Sequence, residues 1–258
     1  MCGIFGVSNK LTDSPSDNLK LFSKDLKTLT QISEQRGSDT FGFVIKNDKN
    51  NFLYKINQKP SEALSRADLK NFLINKLNHN KIDSISIIGQ TRLVTNGSKF
   101  SIENNQPLKT NNAIGVHNGI FVNIELDKAS TITKKYESFY ERSDSLKFYE
   151  KISELVNRKD FIHNYLELLK NLRGNYSLAF FLKDYQEIFL SSNCGSLYYY
   201  YDQTKDFFAF ASEKNILSKY IKKSALFKKN KSTFNGSLIT QCFNKTIIFN
   251  PKKNQLTI

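Results

Sequence analysis

The chain is predicted to fold as a layered α+β structure on antiparallel sheets, and three observations lead there. Strand-type runs open it, stretches at helical spacing fill its middle, and from Gly174 the apolar period changes to two over four successive runs. Short turns, not long crossovers, separate the late runs, which favours antiparallel neighbours. With no repeat, no low-complexity linker and four Pro in 258 residues, one domain over 1–258 is expected.

The elements follow in order. In MCGIFGV, Gly3 and Gly6 flank Ile4, Phe5 and Val7, a buried strand whose backbone is closely approached at two points. Ser14-Pro15-Ser16 punctuates a helix with Leu19, Phe22, Leu26, Leu29 and Ile32 on one face, up to about Gln35. RGSDTFGF (Arg36 to Phe43) turns into a strand, Phe43 to Lys46, with a hairpin partner, Phe52 to Ile56. Ala63 to Asn78 is expected as a second helix, burying Leu64, Leu69, Phe72 and Leu77.

Ile85 to Ile88 is a β-branched strand leading into GQTRLVTNG and a polar loop, Ser98 to Asn112. Ala113 to His117 is another strand; HNG follows, then Ile120 to Val122, and Asn118-Gly119 by itself is a hairpin-turn dipeptide. Ser143 caps a helix to Val156, and Asp160 to Leu172 forms the next. Tyr176 to Leu182, Ile188 to Ser191, Leu197 to Tyr201 and Phe207 to Ala211 are successive strands. A short helix, Glu213 to Ile221, precedes a closing hairpin of Ser237 to Phe243 with Thr246 to Phe249.

Composition narrows the function classes. The net charge of +14 invites a nucleic-acid partner, but 32 of 38 cations are Lys, and they come with abundant Asn and Ile. That pattern is compositional, and KYIKKSALFKKNKS (Lys219 to Ser232) reads as a solvated helix face and loop, so no nucleic-acid partner is expected. No run nears the ~18 apolar residues of a membrane span, and the N-terminus has no basic region before its short apolar stretch. Neither a membrane nor a secretory route is therefore expected. Cys2, Cys194 and Cys242 are an odd set without metal spacing, and His79, His117 and His163 are scattered. A reducing, cytoplasmic setting and no metal or cofactor follow. Cys194 and Cys242 are expected to be packing residues.

Chemistry concentrates at the start. If Met1 is removed, Cys2 carries a thiol and a free α-amine on one carbon. With a pKa of about 7.7–8, that amine can take a proton near neutrality, so nucleophile and base share one residue. Six of eleven Gly fall in four short stretches, MCGIFG, RGSDTFG, QTRLVTNG and VHNG, where backbone must turn or lie against a ligand. In a chain with six Arg, an Arg inside a motif indicates a need for a planar fork.

The ordered set of N-terminal Cys, RGSDTFGF, TRLVTNG, NQP, VHNGIFVN and SDS resembles the glutaminase domain of class II glutamine amidotransferases. That family includes glutamine–fructose-6-phosphate aminotransferase, glutamine phosphoribosylpyrophosphate amidotransferase and asparagine synthetase. LRGNYSLAFF, CGSLYYY and FAFASE extend the likeness over nearly the whole chain. The resemblance implies the four-layer αββα sandwich of N-terminal-nucleophile hydrolases. It implies Cys2 as nucleophile toward the side-chain amide of L-glutamine, and Asn118 with Gly119 as oxyanion donors. Arg92 would hold the substrate carboxylate, Asp144 its ammonium, and Thr95 and Asn96 the loop over it. Arg36, Gly37 and Asp39 would support the site.

Departures exist. The fructose-6-phosphate enzyme would have His at Gln90, Trp at Leu93 and His at Asn96, while IENNQP (Ile102 to Pro107) is closer to the phosphoribosylpyrophosphate enzyme. No synthase segment precedes Ile258, so ammonia is expected to pass to a separate synthase subunit. Two alternatives stand beside this: an amidohydrolase of the same fold acting on another γ-glutamyl amide, and a non-catalytic sensor, scaffold or binding protein.

Overall fold

The computed structural model describes residues 2–10, 14–47, 50–77, 84–93, 102–124, 143–229 and 233–258. In chain order they form β1 (Gly3–Lys10), α1 (Pro15–Ser33), β2 (Thr40–Asn47), β3 (Asn51–Ile56), α2 (Pro60–Ala63), α3 (Ala67–Leu77), β4 (Ser84–Arg92), β5 (Leu108–Lys109) and β6 (Ala113–Phe121). After these come α4 (Asp144–Val156), α5 (Phe161–Asn171), β7 (Gly174–Leu182), β8 (Ile188–Ser192), β9 (Tyr198–Asp202) and β10 (Phe207–Ala211). The last are α6 (Lys214–Lys223), α7 (Ala225–Lys229), β11 (Ile239–Gln241), β12 (Lys245–Asn250) and β13 (Gln255–Thr257).

Two sheets result, with strand orders β11-β9-β10-β1-β4-β2-β3 and β13-β12-β8-β7-β6-β5. Every recorded pairing is antiparallel. Period two sorts the side chains. On β4, Ile85 and Ile87 pack with Phe22, Leu26 and Leu29 of α1, while Ile88 joins the core between the sheets with Ile4, Val116 and Phe210. On β7, Leu178, Phe180 and Leu182 pack with Phe148, Tyr149 and Ile152 of α4, while Ala179 and Phe181 face inward. Helices thus cover both outer faces of a pair of stacked sheets, the αββα sandwich. Both faces of β1, β2, β4, β7 and β10 are covered, so these strands are buried almost throughout, even at polar positions such as Ser86 and Gln90 on β4.

Gly3 and Gly6 are as tight as expected. A Cβ at Gly3 would lie 2.6 Å from Thr91 Oγ1, and one at Gly6 2.2 Å from the Phe210 ring. Asp25 of α1 is fully buried and accepts hydrogen bonds from Tyr220 Oη (2.7 Å), the Ala225 amide (2.6 Å) and Ser224, tying α1 to α6 and α7.

Five local expectations are corrected. The helix expected from Ala63 to Asn78 is two: α2 ends in tight turns, with the Ser65 and Arg66 amides bonding to the Glu62 and Ala63 carbonyls. Helix α3 starts afresh at Ala67, where Asp68 accepts from Arg66 (2.8 Å) and the Leu69 amide (2.8 Å) in its first turn. In α3 the buried pair is Leu69 and Leu73, with Phe72 partly covered; the Leu77 side chain and Asn78 lie outside the described residues. Second, β4 continues past Ile88 through Gln90 to Arg92, paired with β1 and β2. Third, β6 runs unbroken through Asn118-Gly119, because Gly119 takes φ +132° and stays in register with Tyr176. Fourth, β11 and β12 do not pair: β11 joins β9, β12 joins β8 in the other sheet, and the true hairpin is β12–β13. Asn244, at φ 50°, turns the chain between them. Fifth, Cys194 is exposed rather than packed, whereas Cys242 is fully buried just after β11.

Candidate active site

The edge of both sheets where β1 begins gathers most of the residues singled out by sequence. Register fixes this: Gly3 sits opposite Thr91 on β4, and Arg92 opposite Thr40 on β2. Cys2 immediately precedes Gly3, with its thiol half-buried and 3.7 Å from the Leu93 carbonyl oxygen. Its own carbonyl oxygen accepts two hydrogen bonds from distant segments: Asn118 Nδ2 at 2.8 Å and Arg36 Nε at 3.0 Å. Arg36, whose side chain is 9% exposed, also pairs with Glu213 at the start of α6. Asn118 therefore reaches across from the second sheet to the residue just before the first strand of the first.

Arg92 ends β4. Its Nη1 donates to Asn105 Oδ1 (2.8 Å) and to the Asn104 carbonyl (3.2 Å). Burial pushes the guanidinium down, while Cys2 and Asp39 act in the opposite direction, which places both within electrostatic reach. Asp39 contributes its backbone amide to the Arg92 carbonyl at 3.0 Å, and Gly37 lies so close that a Cβ would be 2.5 Å from the Arg92 carbonyl carbon. Asn105 is fully buried and also accepts from Thr40 Oγ1 (3.2 Å).

Asp144 opens α4. Ser143 caps that helix through the Leu146 amide (3.2 Å), so the Asp144 carboxylate is not the cap itself. Its Oδ2 accepts from the Phe121 amide (2.8 Å) and Oδ1 from the Ser145 amide (2.7 Å), docking the helix start against β6 three residues beyond Asn118. His117 completes this link. Its Nδ1 lies 2.8 Å from Ser145 Oγ and its ring stacks on Phe121 at 4.2 Å between centroids. Burial drives the imidazole down to about 4, against the opposing pull of Asp144. Thr95 and Asn96 lie outside the described residues.

Several contributors had no role assigned from sequence. Gln90 Nε2 lies 3.0 Å from Asn118 Oδ1, 3.0 Å from His117 O and 3.1 Å from Gln106 Oε1. Ser212 accepts from the Ile4 amide (2.7 Å) and lies 3.3 Å from Asn118 Nδ2. Asn105 and Gln106 fall inside IENNQP, and Ser212 and Glu213 inside FAFASE. Gln90 had its own signal, an amide in the inward register of Ser86 and Ile88 on an apolar strand.

A model for a glutamine amidotransferase domain matches residues 90–219, half of the chain. The chain belongs to the glutamine amidotransferase domain family. Solved structures agree on the fold. Glutamine phosphoribosylpyrophosphate amidotransferase from B. subtilis, complexed with ADP and GMP, superposes at TM-score 0.56 with 19% identity, over 99% of this chain and 48% of that one. A structure described as the allosteric regulatory enzyme of purine biosynthesis gives 0.57 and 19%, over 97% and 47%. A predicted glutamine amidotransferase from Pseudomonas aeruginosa PA01 gives 0.53 and 10%, over 100% and 98%. The chain thus spans about half the length of the first two and nearly all of the third. No curated protein sequence matches it.

The αββα sandwich is accordingly that of the N-terminal-nucleophile-hydrolase-like amidotransferases. No helix among the described residues is long and apolar enough to cross a membrane. Among the described residues no cluster of His, Cys, Asp or Glu could hold a metal ion. A polar cleft of about 430 Å³ lies at the other end of the sandwich, lined by Asn51, Lys109, Asn112 and Lys183 among others, and none of the site residues borders it.

Proposed function

We propose that residues 1–258 form a glutaminase domain that hydrolyses the side-chain amide of L-glutamine through a γ-glutamyl thioester on Cys2. One observation carries this reading: the Cys2 carbonyl is held by Asn118 and Arg36 from two distant segments while its thiol stays partly open. After Met1 is removed, the α-amine takes the thiol proton, directly or through water. The sulfur attacks the amide carbon, and the former carbonyl oxygen takes the negative charge. Asn118 Nδ2 and the Gly119 amide supply donors there. Nδ2 already donates to Cys2 O, so its longer 3.3 Å contact with Ser212 is the one an oxyanion displaces.

Collapse breaks the carbon–nitrogen bond, and the α-ammonium returns its proton to the leaving ammonia. Water then opens the thioester to give glutamate and frees the thiol. Arg92 binds the substrate carboxylate as a planar fork and Asp144 the ammonium. Ammonia passes to a separate synthase subunit.

The test uses chain freed of Met1. It should release glutamate from glutamine and be labelled on Cys2 by a glutamine-like diazo-ketone, and Cys2→Ala should abolish both. Labelling that survives Cys2→Ala would refute the assignment.

A further inference from the structure

We infer that Gln90, with Gln106 behind it, is a positioning residue that fixes which end of the Asn118 amide faces Cys2. This rests on the glutaminase reading above, since only the NH₂ end can support an oxyanion. An Asn side chain has two orientations of nearly the same shape, and nothing in its own geometry selects one. The surrounding groups do.

The selection begins at atoms whose roles cannot change. The His117 main-chain N–H only donates, and it meets Gln106 Oε1 at 2.5 Å. The His117 carbonyl only accepts, and it meets Gln106 Nε2 at 3.0 Å. Gln106 is thereby locked at both ends by the main chain of one residue. The Gln90 atom that lies 3.0 Å from the same carbonyl and 3.1 Å from Gln106 Oε1 faces two acceptors, so it is the NH₂. It also faces Asn118 at 3.0 Å, and an atom facing a donor is oxygen. Asn118 Nδ2 is left pointing to Cys2 O at 2.8 Å. Two main-chain atoms of His117, acting through two glutamines, thus hold the oxygen end of the Asn118 amide, while the Cys2 carbonyl, itself only an acceptor, holds the NH₂ end.

The arrangement has a cost. Three acceptors share two hydrogens of Gln90, and its Oε1 is buried with no hydrogen-bond partner among the described residues. A buried acceptor left unpaired costs about 1–3 kcal/mol. That cost goes with a residue placed for its donors rather than for stability.

The experiment compares Q90E and Q90H with the wild type, all freed of Met1, by steady-state glutaminase kinetics from pH 5.5 to 8.5. The Asn118 side-chain NH₂ resonances, assigned by their loss in Asn118→Asp, are followed in parallel. An ionised carboxylate in Q90E offers only acceptors, so Asn118 turns its NH₂ toward it and its oxygen toward Cys2. At pH 8 kcat should fall roughly 10²–10³-fold, the effect of one lost oxyanion donor, with KM within about threefold. The deficit should narrow as pH falls and the carboxyl, once protonated, donates again. Q90H, with one N–H to give, should keep kcat within about tenfold and leave the Asn118 resonances in place.

Wild-type kcat in Q90E, a loss flat with pH, or unmoved Asn118 resonances would overturn the inference. If Q90E fails to fold, Q90M replaces it as a neutral side chain with no donor; kcat equal to that of Q90H would overturn the inference equally. A wild type that neither turns over glutamine nor labels on Cys2 sinks the glutaminase reading instead, and the resonances still decide the lock.

Discussion

Lowering the pH should destabilise this protein through one side chain, His117. In the fold its ring is 3% exposed, sandwiched against Phe121, with Nδ1 on Ser145 Oγ. Ser145 Oγ in turn lies 3.3 Å from Asp144 Oδ1, so the serine proton goes to the carboxylate and Nδ1 carries the imidazole proton. Nε2 is buried with no partner among the described residues, so a second proton there would be a charge without an acceptor. That is why burial holds the imidazole at about 4 rather than 6.5. Between those values the unfolded chain binds a proton that the folded chain refuses, so stability is full above about 6.5 and drains away as pH falls toward 4. An interval of about 2.5 pH units at ~1.4 kcal/mol each gives roughly 3 kcal/mol. Asp25 works in the opposite sense, because burial raises its carboxyl, so the assay must be differential. Urea unfolding at several pH values between 4 and 7.5, in the wild type and in His117→Asn, isolates the term. The wild type should take up about one more proton on unfolding than the variant across that window. Parallel stability curves for the two proteins would refute the reasoning.

Two further predictions rest on local geometry. Gly119→Ala should cost about 3–5 kcal/mol by denaturant unfolding, because φ +132° disfavours any Cβ and this one would sit 1.8 Å from the Asn175 carbonyl oxygen. Gly236→Ala, where the nearest atom is a Phe234 ring carbon at 3.5 Å, should change stability by less than about 0.5 kcal/mol. Mild alkylation of the native protein at pH 7.5, mapped by peptide mass, should modify Cys2 and Cys194 and spare Cys242. Burial pushes the Cys242 thiol up to about 12. For Cys194, partial burial raises the thiol, but hydrogen bonds from Ser177, Ser196 and Ser192 outweigh it and bring it down.

What the sequence made legible, and what it hid, divides along physical lines. Strands of the inner layers were plain because short runs rich in β-branched and aromatic residues, such as Ile85 to Ile88 and Tyr176 to Leu182, are bounded by turn-forming residues. The partner of a strand was less plain. Ser237 to Phe243 and Thr246 to Phe249 are close in sequence and look like a hairpin, yet Asn244 sends the second into the other sheet. Asn118-Gly119 carries the strongest hairpin dipeptide, and only the cross-strand register with β7 shows that the strand passes straight through. The break between α2 and α3 is hard to read because it lies in main-chain turns at Ser65 and Arg66, with no Gly or Pro to mark it.

At the site, motif order located the segments that meet near Cys2 because each has a distinctive residue: a Cys, an Arg in an Arg-poor chain, an Asn before Gly. The second tier was hidden. Asn105, Gln106 and Ser212 act by orienting others, and common polar residues leave no spacing of their own to read; only Gln90 leaves a trace, as an amide in the inward register of β4. The exposure of Cys194 depends on where the turn after β8 lies, which residue type alone does not show.

The most direct test of the account is to catch the acyl-enzyme. Chain freed of Met1, mixed with glutamine and quenched in acid within milliseconds, should yield an N-terminal peptide heavier by one γ-glutamyl group. That mass should vanish on treatment with hydroxylamine, as a thioester does, and be absent when Cys2→Ser protein is used. The same mass gain on a peptide containing Cys194, or glutamate release with no adduct on Cys2 at any quench time while Cys2→Ala retains full activity, would contradict it.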